Sequence, residues 1–126
     1  MCIRDRLSIT KLNSNGSIIG GQLIPGFLTQ LKSMEQNTKN LTVPKKYHIP
    51  IKDFSIDTEE AILKGVINSL TGVINSLFNP ANDILVMCGG DSELLKKFIK
   101  TQKESIINAP DLVMEGMIIH YLSIKN

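Results

Sequence analysis

The stretch Asp83-Ile84-Leu85-Val86-Met87-Cys88-Gly89-Gly90-Asp91-Ser92-Glu93-Leu94-Leu95 sets the tightest limits on the fold of this chain. Its continuous apolar run at 84–88, rich in branched residues, predicts a strand buried on both faces, as in a parallel sheet. Gly89 and Gly90 end that strand. Asp91 or Ser92 can then cap a helix by accepting the free N–H groups of its first turn. A strand running into two glycines and a helix start lets a ligand approach the backbone and offers it unpaired donors, as phosphates and nucleotides require. The same residues serve equally as a tight turn that binds nothing, and the local pattern leaves both readings open.

The longest helix is predicted to run from Asp57-Thr58-Glu59-Glu60 to about Phe78. Asp57 can cap it, and Glu60 three residues later completes a capping box. Thr58 sits in the first turn, where its hydroxyl faces either solvent or a ligand. The helix carries a tandem repeat, Gly65-Val66-Ile67-Asn68-Ser69-Leu70 and Gly72-Val73-Ile74-Asn75-Ser76-Leu77. The seven-residue offset puts both copies on nearly one face, giving a wide apolar stripe beside small residues that allow close approach. The stripe is either a core face or a face shared between the chain's own sheet and a second subunit. Asn79-Pro80 stops the helix.

Alternating apolar and polar residues at 7–12 predict a half-buried strand. Asn15-Gly16 suits a turn, and Ser17-Ile18-Ile19 returns as a second strand that Gly20-Gly21 is expected to end. Phe27, Leu28, Leu31 and Met34 recur at helical spacing and predict an amphipathic helix from Phe27 to Asn37. Residues 41–55 hold Pro44 and Pro50 and read as irregular, with His48 a surface or loop-packing residue rather than a ligand. A helix is expected from Ser92 to about Lys103, then a short strand at 105–108. Pro110 should open a last helix whose inner side is Leu112, Val113, Met117, Ile118 and Tyr121. Gly116 within it suggests close packing. The expected architecture is α/β, a mixed sheet with an N-terminal hairpin and flanking helices.

With 126 residues there is material for one modest domain. A net charge of +2 and no basic cluster larger than a pair argue against nucleic acid or an anionic membrane as partner. The two cysteines, Cys2 and Cys88, have no spacing partner for a metal site, so Cys88 is expected to be a buried thiol in a reducing compartment. No apolar run approaches the roughly 20 residues that span a bilayer. The expected location is the cytoplasm. Residues 1–6, Met-Cys-Ile-Arg-Asp-Arg, resemble a translated sequencing adaptor and are expected to lie outside the fold. The protein proper would then be 7–126.

Four segments, in order, resemble the type III pantothenate kinases. Gly20-Gly21-Gln22-Leu23-Ile24-Pro25-Gly26 is similar to their Gly-Gly-x-Ile-x-Pro-Gly element. The run Thr58-Glu59-Glu60-Ala61-Ile62-Leu63-Lys64-Gly65 is similar to their Thr-x-x-Ala-(Ile/Val)-x-x-Gly segment. Cys88-Gly89-Gly90-Asp91 resembles their Thr-Gly-Gly-Asp, and Pro110-Asp111-Leu112-Val113-Met114-Glu115-Gly116-Met117 their closing Pro-Asp-Leu-Val-x-x-Gly-Leu. The resemblance implies an actin-like ATPase fold of ribonuclease-H-like halves, of which this chain would be the C-terminal half-domain. It implies ATP-dependent phosphorylation of pantothenate, with magnesium, a potassium or ammonium ion, and a homodimer. It places Thr58, Gly20, Gly21, Pro25 and Gly26 at the substrate, and Gly89, Gly90 and Asp91 at the nucleotide.

The chain also departs from the family. Cys88 replaces a threonine. The phosphate-binding Asp-x-Gly-Asn-Thr, the Gly-x-Asp-Arg with the catalytic base, and the cation-holding Asp would all fall before Leu7. No residue here is assigned as general base or metal ligand, so the polypeptide alone is expected to be inactive. It is also expected to be marginally stable, because half a sheet leaves an unpaired edge. The alternatives are a non-catalytic accessory or regulatory relative, and an actin-like kinase for another small hydroxylated substrate.

Overall fold

The computed structural model describes residues 5–50, 52–100 and 105–125. Cys2 and the rest of 1–4 lie outside the described residues, as do residues 101–104, which include the end of the helix expected to run to about Lys103. The hairpin forms as its sequence predicts. Strand β1 (Arg6–Leu12) pairs antiparallel with β2 (Ile18–Pro25). The Asn13 carboxamide accepts the N–H groups of Asn15 and Ser17, at 3.0 and 2.9 Å. Gly16 takes φ +79° there, the left-handed conformation that favours glycine. β2 runs further than expected, however. Gly20 and Gly21 do not end it but pair with Lys11 and Thr10 inside the ladder. A β-carbon on Gly21 would stand 2.4 Å from the Ile9 carbonyl oxygen, so glycine is what lets the two strands approach.

Two helices follow, α1 (Phe27–Asn37) and α2 (Thr58–Leu77). Helix α2 is the axis of the core. Ile62, Leu63, Val66, Ile67, Leu70 and Ile74 are buried along it, meeting Leu7 of the hairpin and Phe27 and Leu31 of α1. The core continues through Met87, Leu95 and Ile99. The expected stripe is therefore right in its centre, but Leu77 at its end is exposed. Thr71 is buried without penalty because its hydroxyl donates to the Ile67 carbonyl at 2.8 Å. Of the small residues, Gly65 and Gly72 face open space rather than a packed neighbour.

The second half differs from expectation. Strand β3 (Leu85–Met87) has three residues and pairs in parallel with β4 (Ile106–Asn108). Among the described residues the expected single mixed sheet is replaced by two separate two-stranded sheets. Only one face of β3 is covered: Met87 is buried, while Val86 is 45% exposed and Ile84, just before it, 71%. An apolar run shows that a strand would be stable between two layers; it does not supply the second layer. Helix α3 (Ser92–Lys96) is also shorter than expected. Helix α4 (Leu112–Lys125) has no buried residue, and the expected inner side of Leu112, Val113, Met117, Ile118 and Tyr121 is exposed. A β-carbon on Gly116 would meet nothing within 4 Å among the described residues, so the expected close packing is not seen there. No described helix is long and apolar enough to cross a membrane.

Candidate functional site

A groove of about 670 Å³ runs between α1 and the first half of α2. Its apolar lining comes from Met34 of α1, Leu41 and Ile56 of the connection, and Ala61, Ile62 and Val66 of α2. Polar edges come from Thr29, Gln30, Ser33 and Thr58. Among the described residues no ionisable side chain lines it. It can therefore hold an apolar body and orient it by hydroxyl and amide groups, but it supplies no proton acceptor and no metal ligand.

Most of its polar groups are already engaged. Thr29 Oγ1 donates to the Asp5 carbonyl at 2.8 Å, and Gln30 Nε2 donates to that of Pro25 at 2.8 Å. Ser69 Oγ donates to Gln30 Oε1 at 2.7 Å, closing the amide from the α2 side. Thr58 is different. It is the first residue of α2, it is exposed, and its hydroxyl makes no hydrogen bond among the described residues.

The placement of Thr58 follows from the cap. Asp57 is extended, and its carboxylate accepts the Glu60 N–H at 3.0 Å, as the sequence predicts. The second arm of the expected capping box is relayed. The Asp57 N–H goes to Ser55 Oγ at 3.3 Å, and that hydroxyl in turn donates to the Glu60 carboxylate. Ser55, which sequence reasoning passed over, thus completes the cap.

The residues expected at the substrate separate in space. Pro25 and Thr58 share the groove. Gly26 is buried at the start of α1, and its N–H donates to the Asp5 carbonyl at 3.0 Å. Gly20 and Gly21 lie in the β2 ladder and are not part of the lining. Asp5 and Arg6 of the adaptor-like hexapeptide contribute main chain to this region, Arg6 opposite Pro25 in β1.

The expected nucleotide corner lies after β3 and is not part of the groove lining. Gly89 takes φ +94°, and a β-carbon on Gly90 would meet nothing within 4 Å. Neither expected cap acts on α3. Asp91 makes no capping bond, and one of its carboxylate oxygens, Oδ2, is buried without a partner among the described residues. Ser92 turns inward to donate to Asn108 Oδ1 at 3.2 Å, and Asn108 in turn donates to Glu93. This pairing ties the corner to β4. Cys88 is a half-buried free thiol. Among the described residues no group of three or more His, Cys, Asp or Glu could hold a metal ion.

Comparison with known proteins defines the fold first. A solved protein from Campylobacter jejuni, named as a Baf family transcriptional activator, superposes with a TM-score of 0.69 over 90% of this chain and 51% of its own. At 21% identity the likeness is one of fold. The sequence then defines the family. Residues 7–80 match the model of the type III pantothenate kinases, and the chain belongs to that family. Relatives named type III pantothenate kinase include one from Acinetobacter baylyi, 28% identical over 82% of this chain and 41% of its own length. Another, from Porphyromonas gingivalis, is 27% identical over 88% and 47%. The chain spans less than half the length of these curated relatives.

Proposed function

We propose that this chain is the C-terminal part of a kinase that transfers the γ-phosphoryl group of ATP to the hydroxyl of pantothenate. One observation carries the reading: Thr58 and Pro25, from two of the family-like segments, share one groove, and Thr58 brings to it an unengaged hydroxyl. In this reading the groove is one wall of the substrate site. Its apolar lining takes the alkyl body of pantothenate, and Thr58 holds a polar group of it. Gly20, Gly21 and Gly26 shape the backbone beside that wall rather than touch the ligand. Gly89, Gly90 and Asp91 form the corner turned to the nucleotide, where the unpartnered Asp91 oxygen suits a hydroxyl or a hydrated cation.

Phosphoryl transfer works by positioning and by stabilising charge around phosphate and metal. Magnesium bound to ATP would supply the charge neutralisation, and the residues described here hold no set of ligands for it. The base, the magnesium site and the site of a potassium or ammonium ion therefore belong to the family's upstream segments. The intact protein is proposed to be a cytoplasmic homodimer, and the uncovered apolar faces of α4 and β3 leave ample surface for such packing. The test is a titration of the isotopically labelled chain with pantothenate, followed by amide shifts. Saturable shifts at Thr58 and the groove lining are expected; an unmoved spectrum at millimolar pantothenate would contradict the reading.

A further inference from the structure

Lys64 is 7% exposed, unusual for a lysine unless its charge is paired. Its Nζ lies 3.4 Å from Asp53 Oδ1 and donates to the Pro50 carbonyl at 3.5 Å. It also sits 5.7 Å from the centroid of the Phe98 ring. The aliphatic stem packs within the core while the ammonium reaches the connection ahead of α2. Neighbouring α2 residues Ala61, Ile62 and Gly65 line the groove, and Lys64 does not. The connection therefore bends round the start of α2 like a strap, moored by Lys64 at one end and by the Ser55–Asp57–Glu60 relay at the other. Between the moorings it presents Phe54 and Ile56, 93% and 107% exposed, and Ile56 is part of the groove lining.

We propose that Lys64 is a positioning residue: its ammonium fastens the strap at Pro50 and Asp53 so that Ile56 and Thr58 are held at the mouth of the groove. An apolar side chain of the same length would fill the core beside Phe98 but could not hold a carboxylate and a carbonyl. The role rests on the reading of the groove as a substrate wall, and the strap itself can be tested apart from that reading.

The experiment is hydrogen exchange at the amides of residues 52–57, with and without pantothenate, in the parent chain and in three variants. Asp53→Asn removes an exposed partner and leaves the core intact; strap exchange is expected to rise about two- to fivefold. Lys64→Met removes the ion pair, the Pro50 hydrogen bond and the contact with the Phe98 ring, and a rise of about tenfold is expected. Lys64→Arg keeps the charge and should return exchange toward the parent rate. Hairpin amides should stay at parental rates throughout. Parental strap exchange in both Asp53→Asn and Lys64→Met, or an equal rise in the hairpin, overturns the mooring. Pantothenate should protect the Ile56 and Thr58 amides in the parent and do so more weakly in Lys64→Met. Protection that survives Lys64→Met at parental affinity overturns the positioning role. No protection even in the parent overturns the substrate reading, while the strap rates still report on the mooring.

Discussion

Helices α2 and α4 are both rich in apolar residues, yet α2 buries eight of its residues and α4 none. On α2 the apolar side chains form a stripe, with Glu59, Asn68 and Ser76 turned to water. A stripe needs neighbours on one side only, and α1, the hairpin and α3 supply them. On α4 the apolar residues run round the helix: Val113, Met114, Met117, Ile118, Ile119 and Leu122 are all 42–69% exposed. A helix apolar on every side needs neighbours on every side. The described residues offer none. Where a helix is buried is thus decided by what stands opposite it, and apolarity alone does not settle the matter.

Substitution separates the two helices most sharply in the core. Ile67→Ala in α2, at a fully buried position, should destabilise the chain by about 2–5 kcal/mol in urea unfolding. Met117→Ala in α4 should change stability by less than about 0.5 kcal/mol. Equal losses would show that α4 is packed in solution and would break the contrast. The hairpin sharpens it at the backbone level. Gly21→Ala forces a β-carbon against the Ile9 carbonyl and should cost about 1–3 kcal/mol, whereas Gly20→Ala, which faces open space, should cost far less. A smaller effect is expected at the start of α2. Asp57→Ala removes the cap on the Glu60 N–H and should cost about 1 kcal/mol in thermal unfolding, with the Ser55 relay left in place.

Local chemistry was legible in the residues themselves. Asn13 and Gly16 specify their turn, α1 runs over Phe27–Asn37 as its spacing predicts, and Asp57 caps α2. Each depends on atoms a few residues apart. What could not be read depends on distant partners. Gly20-Gly21 reads as a strand end because glycine weakens strands, but the close approach of Ile9 is what its place in the ladder requires. The exposure of Ile84 and Val86 and the bareness of α4 follow from the absence, among the described residues, of a covering layer. Of the groove lining, Thr58 and Pro25 lie in family-like motifs. Ile56 and Ser55 lie in no motif, and Lys64 fills an unspecified position of one. Lys64 looks like an ordinary polar residue on a helix until Asp53 and Pro50 are seen beside it.

The central claim is that the Thr58 hydroxyl is spare in the fold and employed in binding. Thr58→Val keeps the shape and removes only the hydroxyl, so comparing the pantothenate affinity and the melting temperature of parent and variant tests it directly. The account predicts an unchanged melting temperature with affinity about two- to tenfold weaker, the loss of one hydrogen bond. Unchanged affinity, or a melting temperature that falls in step with it, would contradict the claim.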